Sequence, residues 1–145
     1  MSAKLIIDTT RIDGLLAGLP VLARTDEIKK GLRRGGDVIA GEQRRLVPRM
    51  AGASKDVLAE SIDKKIVEGD TRITAIVGPR ATAGHARPVE EGHRIVITRG
   101  ANKGQDTGRR ATARPFVEPS AAAVGQQAIA AVEASIAKAL AKLGG

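Results

Sequence analysis

The chain has 145 residues, with 24 Lys and Arg against 16 Asp and Glu for a formal charge of +8, and a single aromatic residue. It contains no Cys, which excludes disulfides, Cys-based zinc sites and a thiol nucleophile, and no apolar run nears the roughly 20 residues of a membrane helix. The N-terminal MSAKLIIDTTRID becomes charged too soon for a secretory signal, so the expectation is a cytoplasmically made single domain, 1–145, whose thin Ala-rich core favours sharing apolar surface in an oligomer.

In chain order, KLII at 4–7 reads as a short strand or an apolar arm. The segment from Thr25 to Val47 predicts a long helix. Thr25 stands as its cap, and Asp26 and Glu27 lie in the first turn, where the helix dipole favours anions. Ile28, Leu32, Gly35, Ile39, Glu42 and Leu46 recur at spacings of three and four and form one stripe. Pro48 ends the helix by excluding Val47 from helical geometry. Gly31, Gly35, Gly36 and Gly41 lie inside it, each costing about 1 kcal/mol relative to Ala. Gly35, within the apolar stripe, points to another element passing close to the backbone.

Ser54 is a cap for a short helix to Ser61, with Val57, Leu58 and Ile62 as its apolar side. Lys64 to Val67, the turn Glu68-Gly69-Asp70, and Thr71 to Val77 read as a hairpin, stopped by Gly78-Pro79. His93 to Thr98 is a third strand with Ile95 and Ile97 on one face. Residues 99–114, RGANKGQDTGRRATAR, read as a flexible basic loop carrying five cations against one acid: Arg99, Lys103, Arg109, Arg110 and Arg114 against Asp106. A last helix runs from Ser120, its cap, to Leu143, with Val124, Ile129, Val132, Ile136 and Leu140 as its ridge. The fold class is α+β: a small antiparallel sheet with a long N-terminal-half helix and a long C-terminal helix against it, and a projecting basic loop.

The chemical motifs are sparse. Asp106-Thr107-Gly108 matches the active-site triplet of aspartic proteases, but it sits in a polar loop, and that chemistry needs two carboxylates in a dry, strand-built pocket. His85 and His93 fall short of a zinc site unless Glu90 or Glu91 joins them, and neither stands in a triad pattern. The glycines of the basic loop do not form a phosphate-cradling motif. No catalytic residue, metal site or cofactor is expected. The five cations suit either a phosphate backbone or an acidic protein surface, and stacking aromatics for single strands are missing. Between Pro115 and Pro119 lies Phe116, the only ring; the two prolines hold it on a stiff extended strip, where it pins that strip to the core.

Arg114-Pro115-Phe116-Val117-Glu118-Pro119-Ser120 resembles the "ARPF, hydrophobic, x, P, small" signature of a tail-component family of long-tailed double-stranded DNA phages, described as tail terminator, tail completion or head–tail joining proteins. Arg45-Leu46-Val47-Pro48 is similar to that family's "xxLAP". ASKDVLAESI, at 53–62, is similar to its "DTGxLxxSI", keeping Leu58, Ser61 and Ile62. Val89-Glu90-Glu91-Gly92-His93 resembles its "VExGT". The matches run in order from about Thr25 to Leu143; Gly84-His85-Ala86 stands where the family has an aromatic, and His93 where it has Thr. The resemblance implies a non-catalytic virion protein. Its expected form is a homo-oligomeric, commonly hexameric, ring in the neck of the particle, assembled in the bacterial cytoplasm. Its implied partners are the tail tube protein and the head connector, with double-stranded DNA passing transiently through, and no membrane. The alternative reading is a small basic DNA-binding protein acting without sequence preference.

Overall fold

The computed structural model of the chain describes residues 2–8, 21–47, 54–80 and 86–144. Its elements, in order, are β1 (Ala3–Asp8), α1 (Val21–Leu46), α2 (Ser54–Ser61), β2 (Ile62–Glu68), β3 (Arg72–Pro79), α3 (Ala86–Glu91), β4 (His93–Val96), β5 (Asp106–Ala111) and α4 (Val117–Gly144). The α+β architecture is as expected: a three-stranded antiparallel sheet, order β1-β3-β2, packed by the two long helices.

The sheet alternates as a half-buried antiparallel sheet must. Ile73, Ala75 and Val77 of β3 face the helices and are fully buried, paired with Ile7, Leu5 and Ala3 of β1. On the opposite face Ile6 is 54% exposed, so the helices cover one side only. KLII is therefore the third strand of this sheet. HRIVIT, expected to supply a third strand, instead pairs with the basic segment in a separate two-stranded sheet. The β2–β3 turn falls at 69–71, where the Gly69 N–H donates to the Arg72 carbonyl at 2.8 Å. Strand β3 runs on through Gly78-Pro79, two residues past the expected stop. Pro79 ends the ladder opposite Ile62, where its missing N–H costs least.

Helix α1 begins at Val21, not at Thr25, so Thr25 is no cap and Asp26 and Glu27 are not in the first turn. Val21 to Arg24 contains no helix-breaking residue, and extending a formed helix by a turn is nearly free. Ile28, Gly31, Leu32, Gly35, Gly36, Ile39, Ala40 and Gln43 are buried along one broad face. Glu42 and Leu46, assigned to the stripe from spacing, lie only at its margin. Pro48 and the Ser54 and Val57 side chains lie outside the described residues.

The closest packing is at Gly35. A Cβ built there would lie 2.8 Å from Val132 Cγ2, 2.9 Å from the Ala128 carbonyl oxygen and 2.9 Å from Leu5 Cδ1. Helices α1 and α4 and strand β1 thus meet on a hydrogen atom. The α4 side of this seam is made of small residues, Ala128, Ser135 and Ala139, with Val132 between them. Here the expected ridge needs correction: Ile129 is 43% exposed, while Val124, Ile136 and Leu140 are half-buried. Close approach of two backbones selects for short side chains, which a search for large apolar ones passes over.

Helix α4 begins at Val117, so Ser120 is inside the helix and its buried hydroxyl donates to the Val117 carbonyl at 2.6 Å. Pro119 is likewise helical and does not extend the strip beyond Phe116. Its missing N–H falls among the first-turn donors that have no intrahelical acceptor.

Candidate interaction site

The segment 99–114 is not a loop throughout. Residues 106–111 form β5, and the connection back to β4 is closed by hydrogen bonds. Ile97 N–H donates to the Gln105 carbonyl at 2.9 Å, and Gly104 N–H to the Ile97 carbonyl at 2.8 Å. Gly100 and Gly104 take φ of 85° and 90°, which the tight connection requires and only glycine adopts cheaply. The strand was hidden because DTGRRA has no apolar alternation: both faces are wet, with Ile95 and Val96 of β4 exposed as well. Thr107 Oγ1 donates to the Ile95 carbonyl at 2.6 Å across the pair.

Asp106, the acid of the DTG triplet, accepts the Gly108 N–H at 2.8 Å and lies 3.5 Å from the Arg94 guanidinium. It is a single, solvated carboxylate paired with Val96 beside the irregular register between Arg94 and Val96. His85 lies outside the described residues. Among the described residues, no group of three or more His, Cys, Asp or Glu is placed to hold a metal ion. No helix among them is long and apolar enough to cross a membrane.

All five predicted cations are exposed, but the hairpin divides them. Arg99 and Lys103 sit in the connecting turn. Arg109 and Arg110 are neighbours on β5 and so point to opposite faces. Arg110 and Arg114 share a cleft of about 390 Å³ at the root of the hairpin, lined also by Pro88, Val89, His93, Ala111 and Thr112. Sequence reasoning missed Arg94 and the place of His93. Arg94 stands opposite Arg110 across the strand pair, and His93 turns Nδ1 towards the Pro88 carbonyl at 3.5 Å. The signal that would have found them is a strand partner, which only pairing reveals.

Several cations of the body are paired, whereas among the described residues of the hairpin only Arg94 is, with Asp106. Lys29 pairs with Glu68, Lys30 with Glu27, Arg45 with Glu42, Lys64 with Asp37 and Arg80 with Asp63, while Arg44 donates to the Ile62 carbonyl. Asp63 is held below its ordinary value by the Lys64 backbone N–H and then by Arg80. Arg99, Lys103, Arg109, Arg110 and Arg114 have no ion-pair partner among the described residues.

The hairpin is anchored by the sequence pieces on which the phage resemblance rests. The Val89 carbonyl accepts the Arg114 N–H at 2.8 Å. The Glu90 carboxylate accepts the Phe116 N–H at 2.7 Å and the Val117 N–H at 3.3 Å, capping α4 from 26 residues away. A carboxylate at a helix start satisfies orphan donors and complements the dipole. Gly92, at φ 75°, passes the end of β5 so closely that a Cβ would lie 2.6 Å from the Ala111 carbonyl oxygen. Pro115 is exposed, and Phe116 beside it is 0% exposed. Its ring lies in one hydrophobic cluster with Ile39, Val47, Leu58, Ile62 and Val77, with Leu46 packed against the cluster. Ser61, also buried, donates its hydroxyl to the Leu58 carbonyl at 2.6 Å. Comparison with protein-family models, curated proteins and solved structures finds no match to this chain.

Proposed function

We propose that the chain is a structural subunit of the neck of a phage or phage-like particle. It forms a ring that terminates the tail tube and joins it to the head connector, with double-stranded DNA passing through. The observation that carries this reading is the convergence of the resembling segments. Val89 and Glu90 hold the Arg114–Val117 strip, Gly92 packs against Ala111 and Ala113 just before it, and Leu58 and Ile62 pack in the same cluster as Phe116. Residues that match a signature in separate pieces of sequence meet at one joint. That joint is where a projecting arm leaves a packed body. In a ring subunit such an arm reaches the next protein, and its unanswered cations meet acidic groups there.

The second reading, a DNA-binding protein acting alone, draws on the same five cations. Two features favour docking to protein. The cations are split between the turn and two faces of the hairpin, so they offer no continuous track for a phosphate backbone. The only aromatic ring, Phe116, is buried and unavailable to stack on a base.

The test is the mass of the purified protein in solution, alone and mixed with tail tubes. A closed ring of about six subunits, alone or formed only on tubes, is the expected result. A monomer that ignores tubes and binds duplex DNA with steep salt dependence overturns the reading.

A further inference from the structure

The cleft at the hairpin root differs from the rest of the basic surface. Arg110, Thr112 and Arg114 line it, and Pro88, Val89 and Ala111 supply apolar wall. The Glu90 carboxylate is turned onto the Phe116 and Val117 N–H groups and does not pair with Arg114. Two guanidiniums beside an apolar wall form a receptor of mixed character. A guanidinium fork binds a carboxylate through two parallel hydrogen bonds, and Pro88 and Val89 gain only if the ligand brings an apolar group as well. At about 390 Å³ the space suits one or two side chains. A bare phosphate would leave the apolar wall unused, and a duplex is too thick to enter.

We infer that the cleft lined by Arg110, Arg114, His93, Pro88 and Val89 is a docking socket for a partner protein's peptide segment in which an acidic residue neighbours an aliphatic one. This rests on the reading that the hairpin faces a protein partner, and it names the chemistry of that partner's contact. Arg110 and Arg114 take the carboxylate, and Pro88, Val89 and Ala111 take the aliphatic side chain. Arg99 and Lys103, at the far end of the hairpin, contribute only to long-range attraction.

The experiment uses the full chain, labelled with ¹⁵N and titrated with the capped tetrapeptide Leu-Glu-Val-Glu, with its Leu-Gln-Val-Gln counterpart, and with a short DNA duplex. Three proteins are compared: the wild type, Arg110→Ala with Arg114→Ala, and Arg99→Ala with Lys103→Ala. The two double variants lose equal charge, and all four side chains are exposed, so melting midpoints should match. The expected result is binding of the acidic peptide with shifts at Val89, His93, Ala111 and Thr112. Affinity should fall at least about tenfold in the root variant and less than about threefold in the tip variant, since only the root loses direct contacts. Equal loss in both variants, equal binding of the Gln peptide, or no shift at about 1 mM peptide overturns the socket. So does a duplex that shifts the same amides more strongly. The root variant is also mixed with tail tubes. If it still forms rings on them while the wild type fails to bind the peptide, the socket falls and the neck reading stands.

Discussion

Gly35→Ala tests the packing account most directly, because local preference and tertiary contact predict opposite signs. In an open helix, replacing Gly by Ala gains about 1 kcal/mol. At Gly35 the new methyl would meet Val132 Cγ2 at 2.8 Å, the Ala128 carbonyl oxygen at 2.9 Å and Leu5 Cδ1 at 2.9 Å. The oxygen belongs to the α4 backbone and cannot swing aside as a side chain does, so α4 must move away from α1. Overpacking of this kind costs about 1–3 kcal/mol, and the backbone contact places Gly35 near the upper end. The net loss is about 2 kcal/mol, or a fall in melting midpoint of roughly 4–8 °C for a chain of this size. Gly41 is the control: it lies in the same helix, and an added Cβ there meets nothing within 4 Å. Gly41→Ala should raise stability by about 0.4–1 kcal/mol. Thermal and urea unfolding of the two variants beside the wild type decide the matter. A Gly35→Ala protein as stable as Gly41→Ala would refute the close approach of α1 and α4.

Phe116→Ala should cost about 3–5 kcal/mol in urea unfolding, as loss of a buried ring from a core does; an unchanged midpoint with lost assembly onto tail tubes would assign the ring to a partner interface. Glu90→Ala should cost about 0.5–2 kcal/mol through loss of the α4 cap. Glu90→Gln, which keeps an acceptor oxygen and loses only the charge, should cost less; a Gln variant as stable as the wild type would refute a role for the charge. Asp63, Glu27 and Glu42 are all held below their ordinary carboxylate values, Asp63 by the Lys64 N–H and Arg80, Glu27 by Lys30 and Glu42 by Arg45. A depressed folded pKa stabilises above the unfolded value and is lost as pH falls through the folded one. Stability should therefore hold from neutrality to about pH 5 and decline below it. Because Asp63 is exposed, Asp63→Asn should flatten that decline only slightly in acid titrations of the melting midpoint.

The sequence determined the helices and the hairpin of the main sheet, because their signals are local. Ile28, Leu32 and Ile39 repeat at helical spacing, Gly69 marks a turn between two apolar runs, and Gly35 in an apolar stripe has use only where a neighbour comes close. Phe116 between Pro115 and Pro119 was legible as a pin for the same reason: a lone large ring on a stiff strip has few other places to go. Only the tertiary structure decided the rest, where the partner is distant in the chain. Helix α4 takes its cap from Glu90, so Ser120, a good local candidate, is drawn inside the helix. KLII joins β3 across 66 to 72 residues, Ile7 opposite Ile73 and Lys4 opposite Ile76, and takes the sheet position expected of HRIVIT. DTGRRA becomes a strand only because β4 offers it a ladder, and with that pairing a featureless run of charge is resolved into a turn, two faces and a cleft. Hydrophobic periodicity marks what a segment buries. Where a segment buries little, its backbone hydrogen bonds decide its form, and their partners are set by the fold.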